Sequence, residues 1–186
     1  MHPEQSTLET PNVTVVKPSL EDLSGSDEVY YKTWLATYPN EEFGVTEEDI
    51  RELFINRSKT PEDVERRRKM ILNPEANTNW LIAKEGNKVI GVCFVRRYRD
   101  YDQLQSIYVL PEYHGKGVAH KLWEAQQAFL RKDQDVKVHV VTYNTRAIEF
   151  YKKLGFVDHG VRMKDDGFKL ASGAHFPEME MVLKKS

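Results

Sequence analysis

Between Ile107 and Leu122 the chain reads IYVLPEYHGKGVAHKL, and these residue types suit the binding of an anion. Alternating apolar residues stop at a proline, Gly115 and Gly117 follow one residue apart, and an amphipathic helical pattern starts at once. A helix that begins directly after a strand has backbone N–H groups without partners, and its dipole favours negative charge there. Glycine lets the main chain approach a phosphate with no Cβ in the way, and Lys116 adds a mobile positive charge. A tight turn that merely packs a helix on a sheet fits the same residues. No G-x-x-x-x-G-K-[ST] is present, which excludes a P-loop. No complete G-x-G-x-x-G stands in an N-terminal strand–helix unit either, which argues against a dinucleotide site.

The elements that must position this turn are legible from periodicity and caps. VTVVKPS, Val13 to Ser19, is a short strand ended by Pro18, and Ser19 can cap a helix with Glu21 and Asp22 in its first turn. From Leu20 to Thr37 a helical pattern breaks at SGS and resumes through Val29, Tyr30, Thr33, Trp34 and Thr37. Thr46 with Asp49 resembles a capping box, and Thr60 with Pro61 opens a third helix. NWLIAKEGNKVIGVCFVRRY alternates, turns at EGNK and alternates again, as a hairpin does. LQSIYVL is a further strand, and the helix after the glycines runs to about Leu130 through Val118, Leu122, Ala125 and Phe129. VKVHVV is a strand, and NTRAIEFYKKLG is a short helix capped by Asn144 and stopped by Gly155. FVDHGVRM and PEMEMVL complete the set, joined by a loop holding DDG and ASG. This order predicts an α/β domain whose mixed sheet carries helices on both faces.

Composition narrows the function classes. The 186 residues suit one domain, 1–186, with 1–12 a loose polar arm, 20–72 a helical region and 79–183 the core. Lys and Arg number 27 against 29 Asp and Glu, so the basic excess usual in nucleic-acid binding is missing. The one dense basic run, ERRRK from Glu65 to Lys69, reads as a solvated helix face. A single cysteine, Cys93 in VIGVCFV, excludes an internal disulfide and a cysteine metal site, and reads as a small buried hydrophobe. No apolar run is long enough to span a membrane, and the N-terminus lacks signal-peptide features, so a cytoplasmic protein is expected.

Two motifs together resemble the GNAT superfamily of acetyl-CoA-dependent N-acetyltransferases. That family carries Q/R-x-x-G-x-G/A after a strand ending V-x-P, and here VLPEYHGKGVA places His114-Gly115-Lys116-Gly117-Val118-Ala119 in register. Its second landmark, an asparagine followed by FY-x-x-x-G-F, stands as NTRAIEFYKKLGF, Asn144 to Phe156. The resemblance covers roughly Asn79 to Leu183 and departs at His114, where the family usually has Gln or Arg. It implies a GNAT fold with a central mixed, mostly antiparallel sheet, acetyl-CoA as cosubstrate, no metal, and direct transfer to a primary amine without an acyl-enzyme.

The resemblance also implies roles. Ile107, Tyr108 and Val109 lie along the pantetheine arm, beside a slot where this strand splays from VKVHVV. His114, Gly115, Lys116, Gly117, Val118, Ala119 and His120 surround the pyrophosphate, and Asn144 touches the cofactor arm. Tyr151 protonates the departing thiolate, a contribution typically worth roughly 10²–10⁴-fold. His139 stands where some relatives have a basic Glu, and a water chain ending at Asp100, Asp102 or Glu112 is the alternative. Trp34 and Tyr38, near Phe43, Phe54 and the acids of TYPNEEFG, suit a cationic acceptor. A small amine or polyamine is the expected acceptor, with a protein or peptide acceptor, or a non-catalytic acyl-CoA sensor, as alternatives. Homodimers are common in the family, but nothing in the sequence specifies an interface.

Overall fold

Alternating apolar residues build seven strands that pair into one sheet. They are β1 (Val13–Val16), β2 (Thr78–Glu85), β3 (Lys88–Arg97), β4 (Asp102–Val109), β5 (Val136–Val141), β6 (Val157–Asp165) and β7 (Phe176–Leu183). Their spatial order is β1-β2-β3-β4-β5-β7-β6, and every pair is antiparallel except β4 with β5. The mixed, mostly antiparallel sheet expected from the sequence is therefore present. This computed structural model describes residues 12–165 and 170–185. The polar arm, apart from Asn12, and Asp166 and Gly167 of the DDG loop lie outside the described residues.

Among the described residues five α-helices complete the fold: α1 (Leu23–Thr37), α2 (Glu47–Lys59), α3 (Pro61–Leu72), α4 (Val118–Gln126) and α5 (Thr145–Lys153). Successive side chains of a strand point to opposite faces, so β2 shows which helices cover which side. The Asn79 amide donates to Gln126 of α4 at 2.8 Å. Its neighbour Trp80 pairs across the strands with Phe94, and Phe94 with Ser106, whose hydroxyl meets Tyr30 of α1 at 2.9 Å. Rings of Trp123, Phe156 and Tyr151 join α5 to α4. Helices α1–α3 thus occupy one face and α4–α5 the other. Among the described residues no helix is long and apolar enough to cross a membrane.

Two sequence expectations need correction. SGS does not interrupt α1, which runs unbroken from Leu23. Gly25 packs closely on the sheet, since a Cβ there would lie 2.9 Å from Val89 Cγ2, and its neighbour Ser26 is buried. Smallness there permits close packing rather than ending the helix. The helix after the glycines stops at Gln126, not Leu130. The chain turns so that the Phe129 carbonyl accepts from the Arg97 guanidinium and Leu130 enters the core.

The caps form as their spacing predicts. Thr46 Oγ1 accepts from Asp49 N at 3.1 Å while Asp49 Oδ2 accepts from Thr46 N at 2.8 Å. Asp49 Oδ1 also accepts from Ser172 N at 2.8 Å, so one buried carboxylate ties the late loop to α2. Burial by itself would push this carboxyl up, but the hydrogen bonds from Ser172 and Thr46 outweigh it and hold it low. Asp49→Ala should cost about 2 kcal/mol at neutral pH, read from urea unfolding. A lowered folded-state pKa stabilises above the unfolded value and is lost as pH falls through the folded one. The difference between variant and parent should therefore close below about pH 4.

Candidate active site

Strands β4 and β5 are paired only where they begin. Asp102, Gln103 and Leu104 face Val136, Lys137 and Val138, and no pairing continues beyond Leu104. Outward from there β4 stays bonded to β3 as far as Val109, and β5 to β7 as far as Val141. The two strands therefore diverge without fraying, and the splay expected from the sequence is present. A cleft of about 1060 Å³ is lined by β4 and β5 beside this gap and by residues from both faces of the sheet.

The glycine turn stands where β4 ends. Gly115 and Gly117 both hold φ +77, a conformation side chains resist, and a Cβ on either would project into open space. An anion could therefore approach these main-chain atoms, as the N-terminus of α4 invites. His114 locks the turn in place. Its Nε2 lies 2.8 Å from the Val109 carbonyl, and its Nδ1 accepts from the Arg146 guanidinium of α5. Arginine can only donate, so Nδ1 is the acceptor and Nε2 carries the proton. Burial pushes this imidazole below the usual histidine range; the Val109 carbonyl opposes the shift and Arg146 reinforces it.

Around the gap, Ile107, Tyr108 and Val109 line the cleft from β4, and Gly115, Gly117, Val118, Ala119 and His120 from the turn and α4. Asn144, which caps α5 by accepting from Ala147 N at 3.2 Å, lines it from beyond β5. Lys116 is turned aside, its Nζ 5.0 Å from the centre of the Tyr113 ring. Tyr151 reaches the cleft from α5 with 6% of its surface exposed. Burial, with Tyr108 and Cys93 nearby, pushes its phenol pKa far up, so the hydroxyl keeps its proton. Cys93 is sealed in the core and its thiol is pushed up to about 12 by burial.

On the α1 face, the Tyr38 hydroxyl meets the Tyr108 hydroxyl at 3.0 Å. Trp34 and Tyr38 belong to a core cluster with Phe176 and also line the cleft, so packing and lining coincide in the same rings. His139 lines the cleft from β5, with Nε2 3.4 Å from Glu180 Oε2. The other proton acceptors weighed from sequence are engaged elsewhere: Asp102 is fully buried against Arg131, Asp100 lies exposed beside Arg99, and Glu112 pairs with Lys88. Glu41 and Glu42 are exposed and line no part of the cleft. Glu178 of β7, opposite Val141 of β5, and Asp27 of α1 are the carboxylates that line the cleft among the described residues.

The sequence profile of the acetyltransferase (GNAT) domain matches residues 28–173, most of the chain. The chain belongs to the GNAT family. Uncharacterised N-acetyltransferases of Mycobacterium tuberculosis and Mycobacterium bovis are 34% identical over 106 residues, 51% of this chain and 59% of theirs. The chain therefore spans little more than half the length of these curated relatives. PaiA N-acetyltransferase of Thermoplasma acidophilum, solved with coenzyme A, superposes with TM-score 0.72 at 22% identity, covering 92% of this chain and 98% of its own. The yncA protein of Salmonella typhimurium, solved with acetyl-CoA, gives 0.59 at 19% identity, with 94% and 95% covered. At these identities the likeness is one of fold.

Arg146 and Glu178 were missed in the GNAT motifs as read from sequence. Arg146 sits inside NTRAIEFY, but only the fold brings it against His114, 32 positions earlier. Glu178 lies in a strand whose alternation marks Met179 and Met181 as core and leaves the opposite face without a distinguishing signal. His114 should titrate below the ordinary histidine value of about 6.5 with its proton on Nε2. Arg146→Ala should move that titration upward, as read from imidazole nitrogen and carbon shifts by NMR.

Proposed function

We propose that this GNAT enzyme moves the acetyl group of acetyl-CoA to a primary amine of small-molecule size, by direct attack of the amine nitrogen. The gap beyond Leu104 carries this reading, with a glycine turn at the end of one strand and a buried phenol on its wall. The cleft is lined from both faces of the sheet, so cosubstrate and acceptor would approach from different sides.

Acetyl-CoA supplies a thioester whose thiol is already a good leaving group. What the chain must add is placement and proton handling. The main chain at Gly115, Gly117, Val118 and Ala119 suits the pyrophosphate, with His120 beside it and His114 steadying Arg146 against the same turn. Lys116 would contribute long-range charge rather than a direct contact. Ile107, Tyr108 and Val109 flank the pantetheine arm, and Asn144 bounds its far side.

An amine arrives protonated and must lose that proton before it attacks. His139 is the assigned base, and the Glu180 carboxylate 3.4 Å from its Nε2 would steady the charge it takes up. Tyr151, kept protonated by burial, is the assigned acid. Its hydroxyl would donate a hydrogen bond that becomes a proton as negative charge gathers on the leaving sulfur. Trp34 and Tyr38 offer aromatic walls, and Glu178 a carboxylate, for a cationic acceptor. Small amines and polyamines both suit that chemistry.

The test is thiol release from acetyl-CoA across a panel of amines, with coenzyme A affinity measured separately. Tyr151→Phe should lower kcat by roughly 10²-fold or more while the coenzyme Kd stays within about twofold. Unchanged kcat would remove Tyr151 from its role, and coenzyme binding without release to any amine would overturn the transfer reading. Gly117→Val, which puts a side chain at φ +77 and into the approach to the turn, should weaken coenzyme binding at least tenfold by calorimetry, about 1.4 kcal/mol.

A further inference from the structure

His139 does not stand alone on β5. Lys137, His139 and Val141 share one face of that strand, and Glu180 of β7 lies directly opposite His139 in the ladder. The Glu180 side chain is only 12% exposed. Its carboxylate meets Lys137 Nζ at 3.2 Å through both oxygens, and His139 Nε2 at 3.4 Å through Oε2. Lys137 is held from its other side too, with Nζ 4.8 Å from the centre of the Tyr101 ring, which stacks on Tyr98. Glu178 stands opposite Val141, one step along the same face, and has a partner of its own. From β4 the cleft beside His139 is lined by the uncharged Gln103 and Gln105.

We infer that Lys137 is a positioning residue for the reaction, sharing the Glu180 carboxylate with His139 and so limiting its hold on the imidazolium. The inference rests on the assignment of His139 as base and deepens it. A carboxylate only accepts, so Nε2 carries the proton that faces Glu180 and Nδ1 is left with the lone pair. When an ammonium gives up its proton, one N–H bond of the amine breaks and Nδ1–H forms. The imidazolium then passes that proton to water, for which its 34% exposed side chain has access. Glu180 acting alone would favour the charged ring and delay that release. Lys137 takes both carboxylate oxygens at the shorter distance and sets a like charge near the ring, so the free base returns at lower pH. Tyr101 and Glu180 together keep the ammonium in that place.

The test is NMR titration of His139 in the full chain, its signals identified by their loss in His139→Gln. Beside it runs the pH profile of kcat/KM with acetyl-CoA and the panel amine of highest turnover. Lys137→Met keeps the stem and removes the charge. It should raise the His139 midpoint by roughly 0.5 pH unit and move the acid limb of the profile up equally, since protonation of the amine is common to both proteins. Lys137→Arg should restore both values, and Glu180→Gln should move both downward. Coenzyme A affinity, the control for folding, should stay unchanged in all three. A His139 midpoint that does not move in Lys137→Met overturns the inference. A midpoint that moves while the rate profile stays put would support the coupling and sink the assignment of His139 as base.

Discussion

A fully buried carboxylate holds the root of the gap. Asp102, with 0% of its surface exposed, opens β4, and it accepts from Arg131 N at 2.7 Å and Arg131 Nε at 2.8 Å. A charge so placed is tolerated only when its lone pairs are met by donors. Arg131 Nη2 also donates to the carbonyls of Tyr98 and Tyr101, at 2.6 Å and 2.9 Å, and Nη1 to that of Arg99 at 3.3 Å. One ion pair thus fastens the turn before β4 to the segment that leads into β5. The parallel pair is pinned at one end, and its other end is free to part because β3 and β7 supply hydrogen bonds from outside.

From that divergence follows the separation of roles between the faces. The glycine turn, the α4 N-terminus and Arg146 collect where α4 and α5 pack. Aromatic rings and the Glu178 carboxylate collect under α1. Tyr108 bridges the two environments: its main chain belongs to the strand edge, and its hydroxyl meets Tyr38 on the α1 face. Tyr151 approaches the same gap from the opposite side. A reaction between two molecules needs them to meet in line with few shared contacts, and a slot through a sheet provides that without a moving part.

Features that depend on neighbours in sequence were legible there. Thr46 with Asp49, Thr60 with Asp63 and Asn144 with Ala147 each satisfy donors three residues away, so spacing alone reveals them. The alternation of the hairpin and the glycines after β4 were legible for the same reason. Features made by distant segments were not. Nothing local links Asp102 to Arg131 or His114 to Arg146, pairs separated by 29 and 32 positions. The stripe from Ser106 through Phe94 to Trp80 exists only once register is set, and each residue alone reads as an ordinary strand position. Gly25 misled in the opposite sense, since a helix breaker and a close-packing contact look identical until Val89 lies beneath it.

Cys93 has a practical side. It is the chain's one cysteine, and it lies wholly inside the sheet-and-α4 core. In native solution a sulfhydryl-reactive dye would therefore count released coenzyme with no background from the polypeptide. In denaturant each molecule would contribute one equivalent of dye, so the same reagent becomes a stoichiometric counter of unfolded chains.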